Sequence, residues 1–378
     1  MRAPTLPLTR DLVLVGGGHA HALVLRMWAM DPLPGVRVTL INPGPSAPYS
    51  GMLPGFVAGH YPRSALDIDL VKLAQFAGAR IVLGPAEGID LGARQIHVAG
   101  RAPIGFDVAA LDVGINSAMP ALPGFAEHAI PAKPLASFAS AWDRLREGTG
   151  PVRTVVIGGG VAGAELAAAQ AHALRQSGRE ASVTVIDRGT ALSALSPRAA
   201  ARLRAALAAL GVTLIERAEI TRITAASVAL ADGRCLPADF VTGAARAQPY
   251  GWLAESGLAH EDGFVTVGPT LQSSDADVFA SGDCAHLSHA PRPKAGVFAV
   301  REAPVLLHNL RSRLMGKGRM RRYHPQRDYL KLISLGDRSA LADRFGLAPS
   351  GPLMWRWKDH IDQRFMQKFR DLRQLRPP

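Results

Sequence analysis

One local pattern occurs twice in this chain: a short apolar strand ends in closely spaced glycines and leads directly into a helix. The first copy is residues 12–15 with the glycine turn 16–18, and the second is residues 154–157 with the glycine turn 158–160, 142 residues later. Glycines at such a turn let the backbone approach a pyrophosphate, and the helix N-terminus supplies N–H groups and a partial positive charge. The repeat therefore predicts two dinucleotide-binding units that arose by internal duplication.

The second copy carries the complete glycine pattern. Gly158, Gly160 and Gly163 have the spacing G-x-G-x-x-G, and Asp187 ends the next strand, where a carboxylate binds a ribose hydroxyl. The strand before the turn and the helix after it are both present, as the motif requires. The residues predicted to line this site are Gly158, Gly160, Val161, Gly163, Asp187, Arg188 and Gly243.

The first copy departs from the pattern at two positions. His21 stands where the third glycine is expected, and the next strand ends in Asn42 and not in an acid. Asn42 can still bond a ribose hydroxyl, with less help from charge. His21 implies either a wider gap between helix and strand or a ring tucked to one side. His19 and His21 lie two residues apart on a helix and face different directions, so we expect no metal site there.

The order of the remaining elements predicts an α/β fold with parallel sheets. Strands and helices alternate, with helices predicted over residues 66–76, 203–210 and 295–315 and strands over residues 80–83 and 264–267. A length of 378 residues fits two or more domains. The two cysteines, Cys235 and Cys284, are too few and too far apart for a disulfide scaffold. With no secretory signal and no run of about 20 apolar residues, we expect a cytoplasmic protein without a membrane span.

The net charge of +12 is concentrated at one end of the chain. Residues 311–378 contain 17 basic and six acidic residues, whereas residues 1–310 contain 26 basic and 25 acidic ones. An Arg-rich composition alone would not concentrate the basic residues at one end of the chain. Recognition modules and base-stacking aromatic residues are missing, so a nucleic-acid partner is not expected.

The basic end also carries a predicted amphipathic helix over residues 353–375. Its apolar stripe consists of Met354, Trp357, Ile361, Phe365, Phe369, Leu372 and Leu375. The basic residues assigned to its other faces are Arg356, Lys358, Arg364, Lys368, Arg370 and Arg373. A basic helix with tryptophans near its start is typical of a segment that lies on an anionic membrane. The alternative is a helix packed on the body of the protein or on a second subunit of a homodimer.

Several segments resemble the pyridine nucleotide-disulfide oxidoreductase superfamily. Residues 110–114 (ALDVG) resemble the strand and turn that leave its FAD domain, and residues 278–285 (VFASGDCA) resemble its second FAD motif. Residues 13–25, 48–55 (PYSGMLPG), 294–310 and 355–369 are similar to the type II NADH:quinone oxidoreductase-like group. More narrowly, they resemble the flavoprotein module fused to selenophosphate synthetases, although no synthetase domain follows in this sequence.

The resemblance implies how the chain is divided. An FAD domain of residues 1–117 and 244–315 is interrupted by an NAD(P) domain of residues 118–243, and residues 316–378 form a C-terminal membrane or packing region. The implied cofactor is FAD, with NAD(P)H as a substrate. The implied FAD-binding residues are Gly16, Gly17, Gly18, His19, Ala20, Asn42, Tyr49, Ser50, Gly51, Ala86, Gly114, Gly282, Asp283, Gly296 and Val297.

The resemblance also implies the chemistry: a hydride passes from NAD(P)H to the flavin and then to a quinone-like acceptor at the inner face of the membrane. Disulfide reductases carry paired cysteines soon after the second strand, but residues 47–52 (APYSGM) contain none, so no dithiol relay is expected. Two alternatives stay open, reduction of a sulfur or selenium compound and a low-turnover redox-sensing role.

Three residues are candidates for catalysis. In related enzymes a glutamate at the position of Glu165 lies near the nicotinamide, although a simple helix N-terminal acid is an equally good interpretation. Related reductases often pair this glutamate with a lysine near the Pro-Tyr loop, where this chain has none. Lys133 and Lys294 are the substitutes that the sequence offers, and Lys294 could also be a solvated loop residue.

Overall fold

The computed structural model describes residues 8–245 and 247–372. The first unit is built on a five-stranded parallel sheet, because its strands are continuous apolar runs that can be buried on both faces. In spatial order the strands are Val278–Ala280, Val108–Leu111, Arg10–Val15, Val36–Asn42 and Arg80–Leu83. Helices His19–Met30, Leu70–Ala77 and Gly296–Met315 accompany this sheet. An antiparallel sheet of Ala86–Asp90, Gln95–Val98 and Ile104–Gly105 completes this part.

The second unit repeats this plan. Its parallel sheet has the order Ala129–Pro131, Phe240–Gly243, Val152–Ile157, Ala181–Ile186 and Val212–Ile215. Its helices are Leu135–Glu147, Val161–Gln176 and Pro197–Ala209. A small antiparallel sheet of Ile220–Ile223, Ser227–Leu230 and Cys235–Pro237 follows the last helix. In both sheets the glycine turn follows the central strand, as the sequence repeat predicts.

The chain leaves the first sheet, builds the second and then returns. The strand Val278–Ala280 pairs in parallel with Val108–Leu111, which precedes the second unit. The predicted interruption of one Rossmann-like unit by the other is therefore confirmed, whereas the individual domain bounds stay predictions. The smaller sheets are Ser46–Pro48 with Asp67–Asp69, and His260–Glu261 with Phe264–Val267 and Ala285–Leu287. The short helices are Leu53–Val57, Phe125–His128 and Gly251–Ala254, and single 3₁₀ turns span Ser50–Met52, Arg63–Ala65 and Gly282–Cys284.

Local capping explains two differences from the predicted helices. The helix predicted from residue 66 begins at Leu70, because Asp69 accepts a hydrogen bond from the Lys72 N–H and caps it there. The helix predicted from residue 203 begins at Pro197, where Ser196 accepts from the Ala199 N–H. In both cases the cap residue decides the start, and the apolar periodicity does not.

The C-terminal region contains more than the predicted helix. The strands Lys331–Ser334, Ala340–Asp343 and Ser350–Gly351 form an antiparallel sheet, and the helix Pro352–Arg370 follows it. We call this helix the C-terminal helix. Leu375 and Arg373 of the predicted stripe and basic face lie outside the described residues.

The single apolar stripe predicted for this helix was wrong. Phe365 and Phe369 are buried against the body, whereas Trp357 and Ile361 are 46% and 42% exposed. An α-helix advances about 100° per residue, so each four-residue step rotates the stripe by about 40°. Repeated steps of four therefore carry the stripe from the solvent side to the buried side. The predicted basic face was wrong for Lys358, whose ammonium points inward and donates to the Gly51 carbonyl.

Candidate active site

The first glycine turn is held by the Asn42 side chain and packs closely against the Asp112 backbone. The Gly17 N–H donates to Asn42 Oδ1 at 2.8 Å, and Asn42 Nδ2 donates to the Gly44 carbonyl at 2.7 Å. Gly16 has φ +90°, and a Cβ built there would lie 2.4 Å from the Asp112 carbonyl oxygen. Asn42 therefore fixes the turn itself, and only glycine fits at position 16.

His21 fills the place of the missing third glycine by tucking its ring against the turn. Its Nδ1 lies 2.7 Å from the Gly16 carbonyl oxygen, within hydrogen-bond distance, and the ring is completely buried. Burial lowers the pKa of His21 to about 4, so the ring is neutral and donates this bond. Of the two expectations for this position, the tucked ring is the one that the structure shows.

A cavity of about 460 Å³ runs along this turn. The predicted FAD residues that line it are Gly16, Gly17, Gly18, His19, Asn42, Ser50, Ala86, Gly114, Asp283 and Gly296. The other predicted residues, Ala20, Tyr49, Gly51, Gly282 and Val297, are chain neighbours of lining residues and do not line the cavity themselves. Tyr250 and Trp252 also line the cavity, and no sequence pattern pointed to them.

Two buried carboxyl groups that the sequence did not single out hold this wall together. Asp112 accepts from the N–H groups of Ala20 at 2.9 Å and His21 at 3.1 Å. Glu302 accepts from the Gly282 N–H at 2.7 Å. Burial raises the pKa of each carboxyl to about 7. These contacts join residues that lie 20 to 92 positions from each other in the sequence. The only local signal for them is an acidic residue within an apolar run.

The second glycine turn is more open. Asp187 accepts from the Gly159 N–H and the Gly189 N–H, both at 2.6 Å, and thereby shapes the turn. A Cβ at Gly163 would lie 1.9 Å from the Gly158 carbonyl oxygen, whereas a Cβ at Gly160 would meet nothing within 4 Å. Val161 begins the helix, Arg188 is exposed beside Asp187, and Gly243 ends the neighbouring strand. The predicted residues thus surround one strand-to-helix turn with open space at its mouth.

Glu165, on the helix Val161–Gln176, contacts the end of the strand Lys331–Ser334. Its Oε1 accepts from the Ser334 N–H at 2.7 Å. Burial raises the pKa of Glu165 to about 7, and the nearby Lys358 ammonium opposes this shift. A carboxyl group in this condition exchanges protons readily near neutral pH.

The two lysines that the sequence offers as partners of Glu165 make their contacts elsewhere. Lys133 Nζ donates to Asp283 Oδ2 at 2.8 Å. Lys294 Nζ donates to the Ala285 carbonyl at 2.5 Å and lies 4.0 Å from the centre of the Phe264 ring. The lysine that contacts the Pro-Tyr loop is Lys358 of the C-terminal helix, and its charge also lowers the pKa of Glu165. It could not be predicted because 307 residues separate it from its loop partner Gly51.

An aromatic cluster lies between the cavity and the C-terminal helix. Tyr49 stacks on Phe365 with ring centres 4.6 Å apart, and His19 lies 5.3 Å from Tyr49 and 5.8 Å from Phe365. The Tyr49 hydroxyl donates to Asp362 Oδ1 at 2.9 Å. Burial, together with the Asp362 charge, raises the pKa of Tyr49, and burial lowers the pKa of His19 to about 4. Both rings are therefore neutral at pH 7.

The sequence profile of the family described as pyridine nucleotide-disulphide oxidoreductase matches residues 10–303. The chain belongs to this family. It is an FAD-dependent NAD(P)H dehydrogenase, as the two glycine turns, the cavity and the family together require.

Three curated relatives illustrate the range of the family. The chain is 25% identical to the NADH dehydrogenase-like protein YutJ of Bacillus subtilis, over 93% of this chain and 99% of that one. It is 35% identical to the nitric oxide reductase FlRd-NAD(+) reductase of Aeromonas salmonicida, over 75% and 74% of the two chains. It is 26% identical to the demethylphylloquinone reductase NdbB of a Synechocystis species, over 67% and 65%.

The residues of the first turn fit an FAD pyrophosphate. The cavity begins at a helix N-terminus and is walled by glycines, and His19 Nε2 is a buried ring nitrogen with no partner in the described chain. When bound, FAD supplies the capacity to accept a hydride and pass on its electrons. Gly16–Gly18 and Asp283 would hold its phosphate and ribityl part, while Ser50 and Gly296 would lie near its ring.

Neither cysteine of this family member lines the cavity. Cys284 is buried, its thiol contacts the Ser281 carbonyl at 3.3 Å, and burial raises its pKa to about 12. Cys235 is exposed on a strand of the second unit. The loop that holds cysteines in disulfide reductases instead holds Tyr49, Ser50 and Gly51. A thiol relay in that loop is therefore excluded.

Proposed function

We propose that this enzyme oxidises NADH through FAD and reduces a lipid-soluble quinone at the surface of a membrane. The observation that carries the proposal is the position of the C-terminal helix. Its inner face contacts the Pro-Tyr loop, residues 47–52, through Lys358 and Phe365. Its outer face exposes Trp357 and Ile361. One helix thus connects the Pro-Tyr loop to an exposed apolar surface of the kind that contacts lipid.

The exposed face has the composition of a membrane contact. Leu353 is 71% exposed, and Phe345 and Leu347, in the preceding turn, are 74% and 63% exposed. Arg356 and Arg364 are exposed on the same helix. Each basic residue near an anionic surface contributes on the order of 1 kcal/mol, and salt screens this attraction. The apolar side chains add a part that salt does not weaken.

The described helices include none that is long and apolar enough to cross a bilayer. The proposed association is therefore peripheral, on the cytoplasmic face. A homodimer stays a prediction.

The donor we propose is NADH, with NADPH disfavoured. Asp187 directly follows the strand Ala181–Ile186 of the second unit, where a negative charge repels a ribose 2′-phosphate. Arg188 lies beside it and works in the opposite direction.

Vesicles test the proposed membrane contact. The variant Trp357→Glu/Ile361→Glu introduces two charges on the exposed face. We expect it to lose binding to anionic vesicles and turnover of a long-chain quinone within them, and to keep turnover of a water-soluble quinone. The matched control is Met30→Glu/Leu83→Glu, since these side chains are also partly exposed, at 43% and 38%. Equal loss in both variants would contradict the proposal.

A protein acceptor is the competing outcome of this test, because the Aeromonas relative is named for an FlRd acceptor. If the wild-type enzyme oxidises NADH rapidly with a small redox protein and reduces no quinone of either kind, the quinone proposal fails.

A further inference from the structure

A second cavity, of about 630 Å³, lies at the C-terminal end of the helix Val161–Gln176. It shares no lining residue with the cavity along the first glycine turn. The second glycine turn, residues 158–160, lies at the other end of this 16-residue helix. Since an α-helix rises about 1.5 Å per residue, roughly 20 Å separate that turn from the cavity. The cavity is therefore distinct from both dinucleotide sites, and we call it the basic cavity.

Basic side chains from three parts of the chain line the basic cavity. His60 comes from the first unit, Arg146 and His172 come from two helices of the second unit, and Arg338 comes from the C-terminal region. None of the lining residues in the described chain is acidic. The wall therefore combines hydrogen-bond donors with positive charge.

Two of these side chains are held in place by the surrounding structure. His60 Nε2 donates to the Gly336 carbonyl oxygen at 3.0 Å. The Arg338 guanidinium lies 5.7 Å from the centre of the Trp355 ring. The rings of His60 and His172 lie with their centres 5.3 Å apart. Groups that are positioned before a ligand arrives lose less entropy when they bind it.

The two arginines lack a carboxylate partner. Within residues 8–245 and 247–372, neither Arg146 nor Arg338 forms an ion pair. A cation is favourable near a helix C-terminus, which accounts for Arg146 in the last turn of Leu135–Glu147. It does not account for Arg338, which lies between the strands Lys331–Ser334 and Ala340–Asp343. Like charges around one space repel each other, so an anion from solution is the partner that fits this cavity.

The neighbouring titratable groups do not supply this anion. The charge of Asp337 acts on His172, but the Asp337 carboxylate accepts from the Ser339 hydroxyl and does not line the cavity. Burial lowers the pKa of His172, and the proximity of His60 and Arg175 acts in the same direction. His172 is therefore mostly neutral at pH 7 and can donate an N–H, while the arginines carry the charge.

We propose that the basic cavity binds a small phosphate-bearing anion between Arg146 and Arg338, and that this anion ties the three parts of the molecule together. A guanidinium group binds a phosphate through two parallel N–H bonds. The volume falls within the range of about 300–1,000 Å³ that is typical of small-molecule sites, so the phosphate can carry a small organic group. The proposal is independent of the electron acceptor and does not rest on the quinone reductase function.

The test measures binding and thermal unfolding of the holoprotein in a buffer without other oxyanions, at constant ionic strength. Inorganic phosphate and ribose 5-phosphate are titrated separately, and NAD⁺ is present throughout to occupy the second glycine turn. The variant Arg146→Gln/Arg338→Gln removes both guanidinium groups of the basic cavity. The matched control is Arg144→Gln/Arg222→Gln. Arg144 lies in the same helical turn as Arg146 but does not line the cavity, and Arg222 is exposed on the strand Ile220–Ile223.

We expect phosphate to raise the unfolding temperature of the wild-type protein and of the control by about 2 °C or more, and not to raise that of Arg146→Gln/Arg338→Gln. Without phosphate the cavity variant should unfold no earlier than the wild-type protein, because its like charges no longer repel each other. A larger shift with ribose 5-phosphate identifies an organic phosphate as the ligand, and an equal shift identifies the free anion; both results support the site. Equal shifts in the cavity variant and the control, or no shift in the wild-type protein up to about 10 mM of either anion, overturn the proposal.

Discussion

The two glycine turns have the same strand-to-helix geometry but differ in how they are closed. At the first turn Asn42, His21 and Asp112 all bond to the backbone of the turn or its helix. At the second turn the Asp187 carboxylate bonds to two N–H groups, and the space beyond Gly160 is open. A closed turn suits a cofactor that stays bound, and an open turn suits a substrate that must enter and leave in every cycle. The two copies therefore share one scaffold and differ in the side chains that close it.

The largest effect should come from the same substitution made at the equivalent position of each turn. A Cβ at Gly18 would lie 2.3 Å from the Asp112 carboxyl group, whereas a Cβ at Gly160 meets no protein atom. Gly18→Ala should therefore destabilise the FAD unit by about 1–3 kcal/mol and yield protein with little FAD. Gly160→Ala should fold, retain FAD and show only a raised KM for NADH. The two variants are compared by their FAD content per chain and by thermal unfolding. Similar FAD loss in both would contradict the proposed difference between the two turns.

A smaller effect should appear in the pH dependence of stability. The pKa of Asp112 is about 7 in the folded protein and close to 4 in an unfolded chain. Because the folded state holds the proton more tightly, the contribution of Asp112 to stability is greatest below pH 4, falls between pH 4 and 7, and is lost above pH 7. Glu302 acts in the same direction.

Asp112→Asn removes that titration and keeps an oxygen for the Ala20 and His21 N–H groups. The difference in the free energy of unfolding between pH 5 and pH 8 should shrink in the variant, by roughly 1 kcal/mol or more. Denaturant titration at the two pH values checks this. An unchanged pH dependence would mean that Asp112 is already ionised when folded.

Asp187→Asn tests whether the carboxylate at the second glycine turn selects NADH over NADPH. The amide oxygen can still accept from the Gly159 N–H, but the amide NH2 cannot accept from the Gly189 N–H. One of the two turn bonds is therefore lost together with the repulsion of a 2′-phosphate. We expect the ratio of kcat/KM for NADPH to that for NADH to rise by about tenfold and FAD content to stay unchanged. A wild-type enzyme that already prefers NADPH would show that Arg188 decides the specificity.

The smallest effect should come from the thiols, because neither turn uses one. Cys235→Ser/Cys284→Ser should oxidise NADH within a few-fold of the wild-type rate. Cys284 is buried against the end of the strand Val108–Leu111, so FAD content must be measured alongside the rate. Complete loss of turnover with FAD still bound would reinstate a thiol relay.

Local patterns were sufficient to predict most of the framework. The strands Arg80–Leu83 and Phe264–Val267 and the helix Gly296–Met315 lie where apolar runs and turn residues indicate. The C-terminal sheet was missed because its strands have only two to four residues, too few to show alternation. Strands this short form through their pairing with neighbouring strands, which the local sequence does not reveal.

The site was predictable only where it depends on neighbours in sequence. The glycine turns and Asp187 follow a fixed spacing, so they were found. Asp112 and Lys358 act through contacts that span 91 to 307 residues, and nothing in their local sequence marks them. Placing Lys358 inward required the rotation of the C-terminal helix, which its packing against the body determines.

An anaerobic titration of the purified protein with NADH tests most directly whether one turn retains FAD while the other exchanges a nicotinamide dinucleotide. The protein should be yellow with about one FAD per chain, should keep this flavin through gel filtration, and should lose its flavin absorbance after about one equivalent of NADH. The NAD⁺ that forms should separate from the protein on the same column while the flavin remains. A colourless protein that does not take up added FAD, or a bound flavin that NADH leaves oxidised, would contradict the assignment of the two turns.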